Sequence, residues 1–143
     1  MTRLSDEETA RRFIHAWSAS HSHVIDGLAA EDLVVSYPHF PEPLRGRKAF
    51  TAMLNRTHQY FPDLSVAVES VVAQANTAAV EWAYHGTHEA GELFGVSVIG
   101  RDVEVAGMTM YDVEIGLVTR ERGVVDNLGS MQQLGALENP SGS

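Results

Sequence analysis

Apolar residues repeat with two different periods along the chain, and the change falls near residue 62. In the first part Ala10, Phe13, Ile14 and Trp17 are three and four apart, which places them on one face of a helix over about 6–19. Ser5 and Glu8 form an S-x-x-E capping box before it, and Asp6 and Glu7 complement its N-terminus. A second short helix is predicted over about 21–30, then a strand at Leu33–Tyr37. Pro38, Pro41 and Pro43 lack the backbone donor a ladder needs, so 38–43 reads as a loop closed by Gly46. Phe50, Met53, Leu54, Thr57 and Phe61 mark a third helix over about 47–60, stopped at Pro62-Asp63.

Beyond residue 62 the period shortens to two. Strands are predicted over about 64–74, 78–88, 102–114 and 117–126, with turns at Ala75-Asn76-Thr77 and Ile115-Gly116. A glycine-containing loop spans about 90–100, a helical tail about 128–137, and a flexible end 138–143. The order α-α-β-α-β-β-β-β is an α+β pattern, and no linker, repeat or low-complexity tract divides it, so 1–143 reads as one domain with an ordered core over about 6–137. Four long antiparallel strands twist and curl. Helices on the concave side then make a cone-shaped α+β barrel with a pocket at one open end.

Composition removes several kinds of chemistry. The 143 residues contain no cysteine, which excludes disulfides, thiol nucleophiles and Cys-based metal centres. A net charge of −9 repels phosphate backbones, so nucleic acid is not an expected partner. Residues 1–61 carry seven cations and seven anions, and residues 62–143 carry three and twelve, so the whole imbalance lies on the strands. No apolar run is long enough for a membrane span, and MTRLSDEETARRF has no signal-peptide core, so the expected location is the cytoplasm. Among the histidines only His21/His23 and His85/His88 are close in sequence. Neither pair has a third ligand at recognisable spacing, so no metal is expected. No glycine-rich phosphate loop precedes a helix.

Several short segments occur in one order: Pro43-Leu44-Arg45-Gly46-Arg47, Phe61-Pro62-Asp63-Leu64, Gly86-Thr87-His88, Gly100-Arg101, and the run from Asp126-Asn127-Leu128-Gly129 to Gln132-Gln133-Leu134-Gly135. In these the chain resembles the SnoaL-like polyketide cyclases of the nuclear transport factor 2-like superfamily, over about residues 8–137. The resemblance implies the cone-shaped fold, a homodimer through the outer sheet face, an apolar pocket for a small or polycyclic molecule, and no cofactor. It places the cyclases' acid/base aspartate on Asp126 and an aromatic of the first helix on Trp17. The cyclases' histidine and asparagine positions hold Asp112 and Met53 here. The base of a ketosteroid isomerase falls at Tyr37-Pro38, and the triad of a limonene epoxide hydrolase falls on Ala83, His85 and Gly123, so neither constellation is kept.

Strand alternation offers two inward sets. The resemblance selects the one with Asp126 and Arg122 on the last strand, Asp112, Met110 and Met108 on the one before, and Glu81 and His85 on the middle strand. In this reading Asp126, His85 and Tyr37 are the catalytic candidates, and Trp17, Met53, Glu81, Met108, Met110, Asp112 and Arg122 contact substrate. An apolar wall would raise the Asp126 pKa and suit it to pass a proton to a carbonyl or epoxide oxygen. Asp126 also stands where aspartate caps a helix. Asp112 has a structural reading too, as the ion-pair partner of Arg122. The expected function is cofactor-free cyclisation or isomerisation of a polyketide-like molecule. The alternatives are epoxide opening and a non-catalytic binding or accessory subunit, the last favoured if Asp126 caps the helix or faces solvent.

Overall fold

The fold, seen in a computed structural model, is described for residues 4–90 and 100–134. Most of the 90–100 loop and the end of the chain from 135, including the flexible 138–143 segment, lie outside the described residues. Helix α1 (Asp6–Ile14) starts at the predicted cap, where Ser5 accepts a hydrogen bond from the Glu8 amide at 3.1 Å. It ends earlier than its apolar period suggests, because His15–Trp17 tightens into a 3₁₀ turn that carries the apolar face onward. The second predicted helix is a 3₁₀ turn, Ser22–Val24, followed by the single turn α2 (Ile25–Leu28).

Strand β1 (Ala29–Ser36) begins four residues ahead of the expected start. An irregularity in its pairing lies between Ala29 and Val34, across the exposed Glu31-Asp32 pair that hides the strand in sequence. A two-residue strand β2 (Leu44–Arg45), absent from the sequence reading, follows the proline loop. Helix α3 (Arg47–Tyr60), strands β3 (Ser65–Gln74), β4 (Thr77–Thr87), β5 (Asp102–Glu114) and β6 (Leu117–Val125), and helix α4 (Asn127–Gln133) lie close to their predicted spans.

The six strands form one sheet in the order β2-β1-β6-β5-β4-β3, and only β1–β6 is parallel. The hairpin turns have left-handed backbone at both central residues, Ala75-Asn76 and Ile115-Gly116, as type I′ turns require. Bulges interrupt β3–β4 between Val68 and Ser70 and β5–β6 at Asp112/Val113, which adds local twist to the sheet.

Helix α1 lies on the concave face. Its Phe13 packs edge-on to Tyr111 of β5 at 5.4 Å and stacks with Phe50 of α3 at 6.1 Å, all three fully buried. Removing one such aromatic side chain from water contributes about 1.5–3 kcal/mol. Phe61, Leu64, Val103, Val105 and Leu134 form a second cluster that fastens α4 to the sheet. Between the two clusters the concave face stays partly open.

Candidate active site

That opening is a cavity of about 150 Å³. Its walls are aromatic: Trp17 after α1, Tyr37 and Phe40 at the end of β1 and in the proline loop, and Trp82 and Tyr84 on β4. Trp82 and Tyr84 stack at 5.6 Å with planes 11° apart, and Trp17 stands edge-on to Tyr37 at 6.2 Å. Met53 and Thr57 of α3 and Val125 of β6 fill between them.

Beneath the Trp17–Tyr37 corner lies Glu121 of β6, with no solvent exposure. Its Oε2 accepts two hydrogen bonds, from Trp17 Nε1 at 3.1 Å and from the Tyr37 hydroxyl at 2.6 Å. The Tyr37 oxygen lies 3.0 Å from Thr109 Oγ1, which in turn accepts from Trp82 Nε1 at 2.9 Å. While Glu121 is ionised, its carboxylate takes the one hydroxyl hydrogen of Tyr37, so Thr109 donates to Tyr37. The chain Trp82–Thr109–Tyr37–Glu121 is therefore polarised in one direction, toward the carboxylate.

Glu121 Oε1 and the Tyr111 hydroxyl beside it are buried without a closed hydrogen bond among the described residues. Burial pushes the carboxyl up from 4.5 to about 7, against the opposing pull of the donors from Tyr37 and Trp17. Burial, reinforced by the Glu121 charge, holds the Tyr37 and Tyr111 hydroxyls well above the usual phenol range. A carboxyl poised near neutrality and bonded to a residue of the cavity wall can hold or release a proton at working pH.

A family model described as SnoaL-like polyketide cyclase matches residues 7–134. The chain belongs to that family. Among solved structures the cyclase fold recurs in IdmH of Streptomyces antibioticus, a proposed polyketide cyclase, at 24% identity and TM-score 0.79, covering 92% of this chain and 99% of that one. TsrD of Streptomyces laurentii matches at 24% identity and TM-score 0.80, covering 96% and 99%. A limonene-epoxide-hydrolase-like epoxide hydrolase of Mycobacterium tuberculosis matches at 17% and 0.70, covering 92% and 90%, so one fold serves more than one chemistry. No curated protein matches the sequence.

The SnoaL-like sheet turns the other set of strand residues inward. Asp126 is exposed; it is the N-cap of α4, accepting from the Gly129 amide at 2.9 Å, and does not face the cavity. His85 and Glu81 are exposed on the outer face of β4, where Glu81 meets Ser70. Met108 and Met110 are 53% and 41% exposed on the outer face of β5. Asp112 and Arg122 form the ion pair of the structural reading, 3.1 Å apart on that same face. Of the expected site residues, Tyr37, Trp17 and Met53 line the cavity. Trp82, Tyr84 and Asn127 on its wall, and Glu121 and Thr109 bonded to that wall from behind, were not anticipated. Alternating burial along β4 (Val80, Trp82) and β5 (Val103, Val105, Thr109, Tyr111) is the signal that finds that face.

Among the described residues no group of three or more His, Asp or Glu is arranged to hold a metal, and no helix is long and apolar enough to cross a membrane.

Proposed function

We propose that this protein closes or isomerises a polyketide-like small molecule without a cofactor, by proton transfer in the aromatic cavity. The observation that supports this reading is the 2.6 Å hydrogen bond between Tyr37, on the cavity wall, and the buried Glu121. With its carboxyl raised to about 7, Glu121 is substantially protonated at neutral pH. In that form it gives its proton to the Tyr37 oxygen as Tyr37 gives its own to a substrate oxygen. The cavity volume matches about one aromatic ring. Further rings of a larger substrate extend through the mouth, and the rate comes in part from holding one folded conformer.

A second reading is a non-catalytic binding subunit. The exposed, capping position of Asp126 favours it, since that takes the residue at the cyclases' acid/base position out of the cavity. One experiment separates the two. The protein is incubated with linear and part-cyclised aromatic polyketides, and products of unchanged mass are resolved by chromatography and mass spectrometry. The catalytic reading expects an isomeric product whose rate of formation falls about 100-fold in Tyr37→Phe. Binding without any isomeric product selects the accessory reading.

The same proposal includes a homodimer through the outer sheet face, where Met108, Met110 and Val124 (56% exposed) flank the Asp112–Arg122 pair. So much apolar surface in one patch suits an interface with a second copy. Met108→Glu should convert a sedimenting dimer to monomer with an unchanged circular dichroism spectrum; a monomeric wild type rules this interface out.

A further inference from the structure

Most polar groups on the cavity wall are already engaged. Trp17 and Tyr37 bond to Glu121, Trp82 bonds to Thr109, and Thr57 donates to the Met53 carbonyl at 3.0 Å, while the Tyr84 hydroxyl turns to Ser130 without a closed hydrogen bond. Two further lining side chains, His39 and Asn127, have ring nitrogens and an amide that make no hydrogen bond within the chain among the described residues. His39 sits in the proline loop, its ring against Phe40 at 4.8 Å and Tyr37 at 5.9 Å. Those contacts hold the imidazole at the cavity while leaving the residue exposed at its mouth. Asn127 is the first residue of α4 and reaches the cavity from the end of β6.

We propose that His39 is the base that removes a proton from the carbon beside a substrate ketone, while the Asn127 amide donates a hydrogen bond to that ketone's oxygen. This rests on the acid/base reading above and adds the two groups that reading lacks. The C–H electrons form an enolate whose oxygen Asn127 holds, and the proton passes to a ring nitrogen of His39. The enolate carbon attacks a second carbonyl of the same molecule, forming the C–C bond. The new alkoxide takes the Tyr37 proton, which Glu121 replaces. Between turnovers His39 gives its proton to water at the mouth, and Glu121 regains one from water entering the emptied cavity. The substrate is isomerised, and nothing else is consumed. Partial burial lowers the His39 pKa below 6.5, so the imidazole is neutral, and able to accept, at pH 7.

The half-reaction can be tested with acetophenone, a one-ring ketone of a size the cavity takes. In D2O, deuterium entry into its methyl group is followed by NMR, and binding is followed by quenching of tryptophan fluorescence. Wild type should accelerate exchange over buffer. His39→Gln should lose on the order of 100-fold, and Asn127→Ala a comparable amount, with quenching kept in both. His21→Gln, an exposed histidine away from the cavity, should exchange as wild type does. Quenching with exchange unchanged in His39→Gln, or with no acceleration by wild type, overturns the inference and leaves the Tyr37–Glu121 reading standing. Absence of quenching in wild type overturns both.

Discussion

Glu121→Gln should be more stable than the wild type by about 3 kcal/mol at pH 8, and should match it near pH 4.5. In the unfolded chain this carboxyl titrates at its ordinary value of 4.5, and in the folded protein at about 7. Below 4.5 both states are protonated and burial costs nothing in charge. Between 4.5 and 7 the folded state keeps a proton the unfolded chain has released, so stability falls as pH rises. Above 7 both states are ionised, and the folded protein bears the full cost of a buried carboxylate. A glutamine avoids that cost. Its amide oxygen can still accept from Trp17 and Tyr37, and its NH2 can donate to the Tyr111 hydroxyl, which is buried without a closed hydrogen bond.

Urea midpoints of both proteins at pH 5 and pH 8 measure the effect. Asp63 titrates with the opposite slope, held low by the Thr87 amide hydrogen bond, but both proteins contain it and it cancels in the difference. Turnover should move the other way, down by more than about 100-fold, because an amide cannot release a proton to Tyr37. A gain in stability with a loss of activity is what a residue kept for chemistry produces. Equal midpoint differences at the two pH values would remove Glu121 as a proton-holding group.

That such a residue escaped the sequence reading has a specific cause. Placing Asp126 inward, as the resemblance implies, puts Arg120 and Arg122 inside and Glu121 outside by strict alternation, and the apolar Val118, which does face the core, falls in that same set. The bulge breaks that count. Asp112 pairs with Arg120 but Val113 pairs with Val118, so Thr119 is the extra residue and the parity of β6 flips there. Both Val118 and Glu121 then face inward. A bulge has no reliable mark in one sequence, and neither does the choice between an aspartate that caps a helix and one that faces a pocket. The elements themselves were legible where a period or a cap states them. The helix at 47–60 and the four long strands fall close to where the apolar spacing puts them, and Ser5 caps where the capping box says. The short β2 was not, because two residues carry no period.

Gly107→Ala should cost about 2–3 kcal/mol and open the back of the cavity. Gly107 lies directly across the ladder from Trp82, and the indole folds over it to reach Thr109. A Cβ there would stand 2.6 Å from Trp82 Cη2 and 2.6 Å from the Val124 carbonyl oxygen. The carbonyl belongs to the neighbouring strand and cannot move far, so the indole must. Moving it breaks the Trp82–Thr109 bond at the start of the polarised chain, and Thr109 loses the donor opposite Tyr37. The consequence should reach the chemistry as well as the fold, since Thr109, one of the two partners of the Tyr37 hydroxyl, then loses the donor that orients it. Gly27→Ala is the matched comparison: a Cβ at Gly27 meets nothing within 4 Å, and alanine in a helical turn should be neutral or mildly stabilising. Urea midpoints measure the cost, and Trp82 emission, read in a Trp17→Phe background, should shift to the red as the ring leaves its buried seat. An unchanged midpoint together with unchanged emission would show that the sheet can yield at Gly107, and that Trp82 does not depend on a missing side chain for its place in the wall.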